Sequence, residues 1–146
     1  MKTIRTEAFI PATPAQVWAV LTDFEAYADW NPLNIKASGQ ARPGGRIRTT
    51  FVNPAGKPGA TVTQTVTLTT FEPERALAWS GNVPLLFHGR HHFTLTPEGE
   101  GTRLLHGEDM GGLIAMTFSD AILAEKFVPY YEALNRALAQ RVNGVR

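Results

Sequence analysis

The chain has no cysteine, no excess of either charge and no long apolar run. Without cysteine, neither a disulfide framework nor thiol chemistry is available. Lysine and arginine number 14 against 13 aspartates and glutamates. This balance argues against nucleic acid or an anionic membrane as a partner. No run approaches the length of a membrane-spanning helix, and the N-terminus lacks the apolar core of a signal peptide. We therefore expect a cytoplasmic protein without stable membrane insertion.

The sequence signatures of nucleophilic and nucleotide-dependent enzymes are also missing. There is no Gly-x-Ser-x-Gly motif around a reactive serine. The pair Gly44 and Gly45 is not followed by the Lys-Ser/Thr of a phosphate-binding loop, and Gly99 and Gly101 lie in an expected hairpin. We therefore expect no cofactor.

One long stretch near the C-terminus, from about residue 119 to residue 142, has the period of an amphipathic helix. Apolar residues recur there at steps of three and four: Leu123, Phe127, Tyr130, Tyr131, Leu134, Leu138 and Val142. Pro129 lies inside this stretch and predicts a kink, because proline removes a backbone donor and crowds the preceding turn. The kink either lets the helix follow a curved sheet or shapes a cavity beside it.

The rest of the chain reads mainly as strands. Residues 2–10 alternate, and then Thr13, Pro14 and Gln16 have the pattern of a capped helix start. A second short helix is expected within residues 23–32, after which the period changes to two. The order β-α-α, about six further strands and a long helix predicts a single α+β domain over residues 1–146. An antiparallel sheet would be covered on its apolar face by the C-terminal helix.

The predicted inner face of this sheet is not purely apolar. Alternation places on it both polar and apolar residues: Phe51, Gln64, Val66, Trp79, His91, Phe93, His106 and Glu108. Burying an imidazole or a carboxylate costs free energy unless the group is paired with another group or remains hydrated. The polar members therefore either satisfy one another in a closed core or line a ligand cavity.

Two chemical roles can be considered for these polar residues. His91, His106 and Glu108 match the two-histidine, one-carboxylate inventory of some metal sites. The Cys/His spacings of zinc sites are missing, so we expect no metal. His106 and Glu108 lie two residues apart on one strand, so they are also candidate catalytic residues that act as general acid or base.

Several short runs resemble the START-like (SRPBCC) superfamily, which includes polyketide cyclase/dehydrase-type proteins and the birch-pollen allergen fold. They are residues 10–18 and 21–24, Tyr27, residues 30–32, Trp79-x-Gly81, Gly89-x-His91-x-Phe93, Thr102-x-Leu104-x-His106-x-Glu108 and Asn135-x-x-Leu138. The resemblance covers essentially the whole chain. It implies a helix-grip fold, in which a curved antiparallel sheet of about six to seven strands wraps around the C-terminal helix. A mostly apolar cavity would lie between the two. The resemblance carries over no catalytic residue.

We therefore expect the protein to bind a hydrophobic small molecule of lipid, polyketide or aromatic type. The expected ligand-binding residues are Phe51, Gln64, Val66, Trp79, His91, Phe93, His106, Glu108, Phe127, Tyr130 and Tyr131. The expected entrance lies between Gly44–Gly45, the loop of residues 54–59 and the end of the helix. One alternative is a polyketide cyclase/dehydrase-like enzyme that uses His106 or Glu108 for proton transfer. Another is a co-chaperone-like interaction domain, which would need an exposed apolar patch.

Overall fold

The computed structural model describes residues 1–145, and its strands form one antiparallel sheet. The seven strands are β1 (Lys2–Ile10), β2 (Asn34–Gly39), β3 (Arg46–Val52), β4 (Thr61–Glu72), β5 (Ala76–Val83), β6 (Phe87–Glu98) and β7 (Gly101–Gly111). Their order across the sheet is β1-β7-β6-β5-β4-β3-β2, so β2 to β7 form a meander and β1 pairs with β7. The predicted α+β architecture with an antiparallel sheet is confirmed.

Two short helices connect β1 to β2: α1 (Pro14–Leu21) and a 3-10 helix (Phe24–Asp29). The start of α1 follows the sequence pattern. The backbone N–H of Gln16 donates to Oγ1 of Thr13 over 3.2 Å, and the N–H of Thr13 donates to Oε1 of Gln16 over 2.9 Å. This reciprocal pair satisfies two backbone donors that the first turn leaves free, and Pro14 occupies a position where no donor is needed.

The C-terminal helix covers residues 120–145 in three parts. They are α2 (Asp120–Ile122), a π-helical turn (Leu123–Phe127) and α3 (Val128–Val145). Pro129 is the second residue of α3, immediately after the π-helical turn. In a regular α-helix its missing N–H would leave the carbonyl of residue 125 without a partner. The kink expected at Pro129 stays a prediction; the structure shows a π-helical turn just before it, and the helix continues to residue 145.

The inner face of the sheet packs against α1 and α3. Leu134, Leu138 and Val142 of α3 have no exposed surface, and neither have Val17 and Leu21 of α1. They meet inner-face residues of the strands such as Ile47, Leu68, Leu77, Leu95 and Leu104. No helix within the described residues is both long and apolar enough to cross a membrane.

Truncating Leu134 tests whether the docking of α3 on the sheet stabilises the fold. Leu134→Ala should lower the free energy of unfolding by about 2–5 kcal/mol, because a fully buried leucine leaves a cavity. The control Arg136→Ala changes an exposed position of the same helix and should cost less than about 0.5 kcal/mol. Urea denaturation followed by circular dichroism measures both values. Equal losses in the two variants would contradict the packing described above.

Candidate functional site

A cavity of about 250 Å³ lies between the sheet and the first half of the C-terminal helix. Strands β3 to β7 supply most of its wall, and the helix closes it with Phe127 and Tyr131. The lining residues are mostly apolar: Leu33, Asn34, Thr49, Phe51, Val52, Asn53, Pro54, Val62, Gln64, Val66, Trp79, Gly81, Val83, Phe87, Gly89, His91, Glu108, Met110, Ile114, Phe118, Phe127 and Tyr131.

Two glycines that pair across β5 and β6, Gly81 and Gly89, make room for this cavity. A Cβ atom on Gly89 would lie 2.9 Å from Oε2 of Glu108, and one on Gly81 would contact Nε2 of Gln64. The side chains of Gln64 and Glu108 can therefore lie over the glycine backbone. Farther along the same strands the inner positions carry Leu77 and other large side chains, and the space is filled.

Eight of the eleven residues expected to bind a ligand line the cavity: Phe51, Gln64, Val66, Trp79, His91, Glu108, Phe127 and Tyr131. The other three, Phe93, His106 and Tyr130, do not. Phe93 and His106 are almost completely buried, and their rings stack with a centroid separation of 4.3 Å. They lie one inner-face position beyond His91 and Glu108, where the packed core begins.

The regular period of α3 explains the position of Tyr130. Tyr131 precedes the buried Leu138 and Val142 by seven and eleven residues, which places it near the middle of their stripe. Tyr130 lies at the edge of that stripe and remains half-buried against the edge of the core.

The cavity opens near only one part of the expected entrance, the β3–β4 loop. Asn53 and Pro54, at the start of the β3–β4 loop, do line it. Gly44 does not: its N–H donates to the carbonyl of Leu68, at the opposite end of β3. The nearest part of the helix is its beginning, at Phe127, and not its C-terminal end.

Exposed apolar residues surround the cavity end of the sheet. They are Val62, Val83, Leu85, Leu86, Leu113, Ile114 and Met116. The β5–β6 turn and the segment after β7 are joined there, since the N–H groups of Leu113 and Ile114 donate to the carbonyls of Leu85 and Leu86. These residues form the kind of exposed patch that an interaction domain would need, although they lie at the cavity and not on the threonine-bearing outer face of the sheet.

Several lining residues were not predicted as ligand-binding residues from the sequence. Thr49, Val62, Gly81, Gly89 and Met110 do occupy inner-face positions of their strands, so alternation was the available signal for them. The lining residues outside the strands had no such signal, because the path of a connecting segment is not periodic: Leu33, Asn53, Pro54, Ile114 and Phe118.

A hydrogen-bonded chain begins behind the cavity wall, where β1 meets α3. Nδ2 of Asn135 donates to Oγ1 of Thr6 over 2.9 Å, and that hydroxyl donates to the carbonyl oxygen of His106 over 2.7 Å. Oδ1 of Asn135 lies 2.7 Å from Nδ1 of the His106 ring. All three side chains are buried. No sequence pattern indicated this role for Asn135, because its partners are far away along the chain.

The same chain continues from His106 to the cavity. Nε2 of His106 lies 2.6 Å from Nε2 of His91, and Nδ1 of His91 lies 3.2 Å from Oε1 of Glu108. The Tyr131 hydroxyl donates to the same Oε1 over 2.9 Å. Three of the polar inner-face residues, His91, His106 and Glu108, therefore contact one another, and His91 and Glu108 also line the cavity together with Tyr131 and Gln64.

Aromatic contacts hold the His91 ring in this position. Trp79 stacks on it with ring centroids 4.8 Å apart, and Tyr131 stacks on it at 5.3 Å. The interplanar angles are 26° and 16°. Because the ring is confined on its faces and hydrogen-bonded at Nε2, its Nδ1 is held toward Glu108.

Burial controls the protonation of the two groups on either side of this chain. Burial lowers the pKa of His106 well below 6.5, and the nearby His91 lowers it further, whereas the hydrogen bond to Asn135 acts in the opposite direction. Burial also raises the pKa of Tyr131 well above 10, and the adjacent Glu108 adds to that rise. His106 is therefore neutral near pH 7, and Tyr131 keeps its hydroxyl hydrogen.

Within residues 1–145 there is no group of three or more histidine, cysteine, aspartate or glutamate side chains placed to hold a metal ion. The two histidines face each other through their Nε2 atoms at 2.6 Å. That separation leaves no room for an ion between them, since metal–nitrogen bonds alone are about 2.0–2.1 Å long.

The fold and the cavity together define a helix-grip protein with an apolar internal cavity. The chain belongs to the family described as "Polyketide cyclase / dehydrase and lipid transport", which it matches over residues 1–143. None of the curated proteins matches the chain in sequence.

Solved structures with the same fold include TTHA0849 of Thermus thermophilus, which shares 21% identity at a TM-score of 0.76 with 99% of each chain covered. The Zhui aromatase/cyclase of Streptomyces sp. R1128 shares 21% identity at a TM-score of 0.74, covering 99% of this chain and 96% of that one. The di-domain ARO/CYC protein StfQ of the steffimycin biosynthetic pathway shares 13% identity at a TM-score of 0.75, covering 98% of this chain and 51% of StfQ. At such identities these similarities establish the fold and not the activity.

The lowered pKa of His106 predicts a loss of stability in acid. Below pH 6.5 this histidine takes up a proton in the unfolded chain but not in the folded chain. The free energy of unfolding therefore falls as the pH falls. His106→Gln removes this dependence. Between pH 6.5 and pH 5.5 the wild type should lose about 1 kcal/mol more than this variant.

Urea denaturation at a series of pH values measures the difference. Phe93→Leu serves as the control, because it disturbs the same packed region and keeps His106. It should lower the stability by a similar amount at every pH. Parallel pH profiles for the wild type and His106→Gln would contradict a neutral, buried His106.

Proposed function

We propose that this protein binds an uncharged, mostly apolar small molecule in the cavity between the sheet and the C-terminal helix. The observation that carries the proposal is a cavity with largely apolar walls in which His91, Glu108 and Tyr131 are already hydrogen-bonded to protein groups. An apolar ligand can then occupy the space without breaking these contacts.

The size of the cavity favours a small ligand. At about 250 Å³ it lies just below the range of about 300–1,000 Å³ that is usual for drug-sized ligands. Phe51, Trp79 and Phe127 present aromatic surface to it. A compact molecule of two or three rings, or a short aliphatic chain, fits these walls. The family description, which includes lipid transport, supports the same ligand class.

A cavity-filling variant tests this proposal. Val66 is buried in the wall on β4, and Val66→Phe should fill part of the space. The apolar fluorescent probe N-phenyl-α-naphthylamine should bind the wild type with enhanced emission and bind the variant at least about tenfold more weakly, a loss of about 1.4 kcal/mol.

The matched control is Thr65→Phe, which adds the same ring to the neighbouring, exposed position on the outer face of β4. It should bind the probe like the wild type. Circular dichroism confirms that both variants are folded. Equal binding by wild type and Val66→Phe would place the probe outside the cavity and contradict the proposal.

A second candidate function is proton transfer to or from a bound substrate, as in a cyclase or dehydrase. The observation in its favour is that Glu108 reaches the cavity and is connected through His91 to a buried histidine. His106 itself has no contact with the cavity, so it would act only through His91. The family description and the aromatase/cyclase neighbours are consistent with this second candidate.

An exchange experiment tests the second candidate. The enolisable ketone β-tetralone, dissolved in deuterated buffer, should incorporate deuterium next to its carbonyl group faster with the protein than without it. Glu108→Gln should reduce this acceleration by at least about 100-fold, the usual contribution of a general base. NMR measures the exchange. The surface variant Glu125→Gln should leave it unchanged, and a rate equal to buffer alone with the wild type would contradict the enzymatic role.

A further inference from the structure

The direction of the hydrogen bonds behind the cavity can be followed from Thr6. Its hydroxyl has one hydrogen and donates it to the carbonyl of His106, so its oxygen accepts from the amide of Asn135. The amide oxygen of Asn135 must then be the atom that faces Nδ1 of His106. Nδ1 of His106 therefore carries a hydrogen, because two acceptors do not approach to 2.7 Å without one.

This tautomer determines the state of the next histidine. With its hydrogen on Nδ1, neutral His106 presents a lone pair at Nε2, and the N–H at Nε2 of His91 donates to it. Nδ1 of His91 then lies 3.2 Å from Oε1 of Glu108.

The second oxygen of Glu108 can accept a further hydrogen bond. Within residues 1–145, Oε1 has both His91 and Tyr131 as partners, and Oε2 has none. In this range, the polar side-chain atoms that lack both solvent contact and a hydrogen-bond partner are Nε1 of Trp30 and Oδ1 of Asn34. Oε2 of Glu108 is not one of them, so it remains accessible. It lies above Gly89, which lines the cavity.

A potential donor lies over the partner glycine. Nε2 of Gln64 lies above Gly81, and Gly81 is the cross-strand partner of Gly89. The glycine pair therefore carries an amide on one side and a carboxyl oxygen on the other. A hydroxyl group suits this pair, because it donates one hydrogen bond and accepts another.

We propose that the cavity selects apolar molecules that carry a hydroxyl group, and that this hydroxyl donates to Oε2 of Glu108 and accepts from Nε2 of Gln64. Thr6, Asn135 and His106 are positioning residues, since they act on the ligand only through His91 and Glu108. This inference rests on the proposed binding function, and it adds the polar group that the ligand must have.

Two matched probes test it: β-naphthol and its methyl ether, each measured by displacement of N-phenyl-α-naphthylamine at pH 7. Both accept a hydrogen bond, but only the naphthol donates one. Methylation also adds apolar surface, which on its own favours the ether. The wild type should nevertheless bind the naphthol at least about tenfold more tightly. Glu108→Met, of similar length without polar atoms, should reduce the preference to within about threefold.

The control Glu125→Met changes an exposed glutamate on the helix and should keep the wild-type preference. If Glu108→Met does not fold, the ratio of the wild-type affinities for the naphthol and its methyl ether decides the test alone. A wild-type ratio below about threefold would overturn the inference and leave the proposed binding function in place. A preference that persists in folded Glu108→Met would also overturn it, because the hydroxyl would then be recognised elsewhere. If neither naphthalene binds, the binding function and the inference both fail.

Discussion

The hydrogen bond between His106 on β7 and Asn135 on α3 is the contact on which the polar wall of the cavity depends. It joins the sheet to the helix through buried groups, and it determines which nitrogen of His106 carries a hydrogen. Because Thr6 fixes the orientation of the Asn135 amide, the order of donors and acceptors continues to His91, whose Nδ1 lies 3.2 Å from Glu108. In a buried site each of these groups would be costly if unpaired, so the chain stabilises one arrangement over its alternatives.

Side-chain volume determines where the inner face of the sheet is packed and where it is open. The central strands have large inner residues toward one end, such as Leu68, Leu77 and Leu104, and these belong to one buried cluster with residues of α1 and α3. Toward the other end the paired Gly81 and Gly89 leave space. The same sheet therefore supplies both the stability of the fold and the walls of a site, in adjacent regions.

Much of the fold and part of the site were predictable from the sequence, because strand and helix periods are local properties. Alternation placed His91 and Glu108 on the inner face, and the β6–β7 hairpin made them neighbours. Alternation does not show how far along a strand the packed core extends, so His106 was not distinguished from the cavity wall. The helical period did not separate Tyr130, at the edge of the buried stripe of α3, from Tyr131 near its middle. The role of Asn135 depended on how α3 docks on the sheet, which is not a property of the local sequence.

Native mass spectrometry of the purified protein is the most direct measurement of the central claim, that the cavity holds an apolar small molecule. The account predicts a one-to-one complex, either with a molecule that co-purifies and can be extracted after denaturation or with one bound from a panel of uncharged apolar compounds. The extracted molecule would also show whether it has a hydroxyl group. A chain that remains at its bare mass after purification and after incubation with the whole panel would contradict the account.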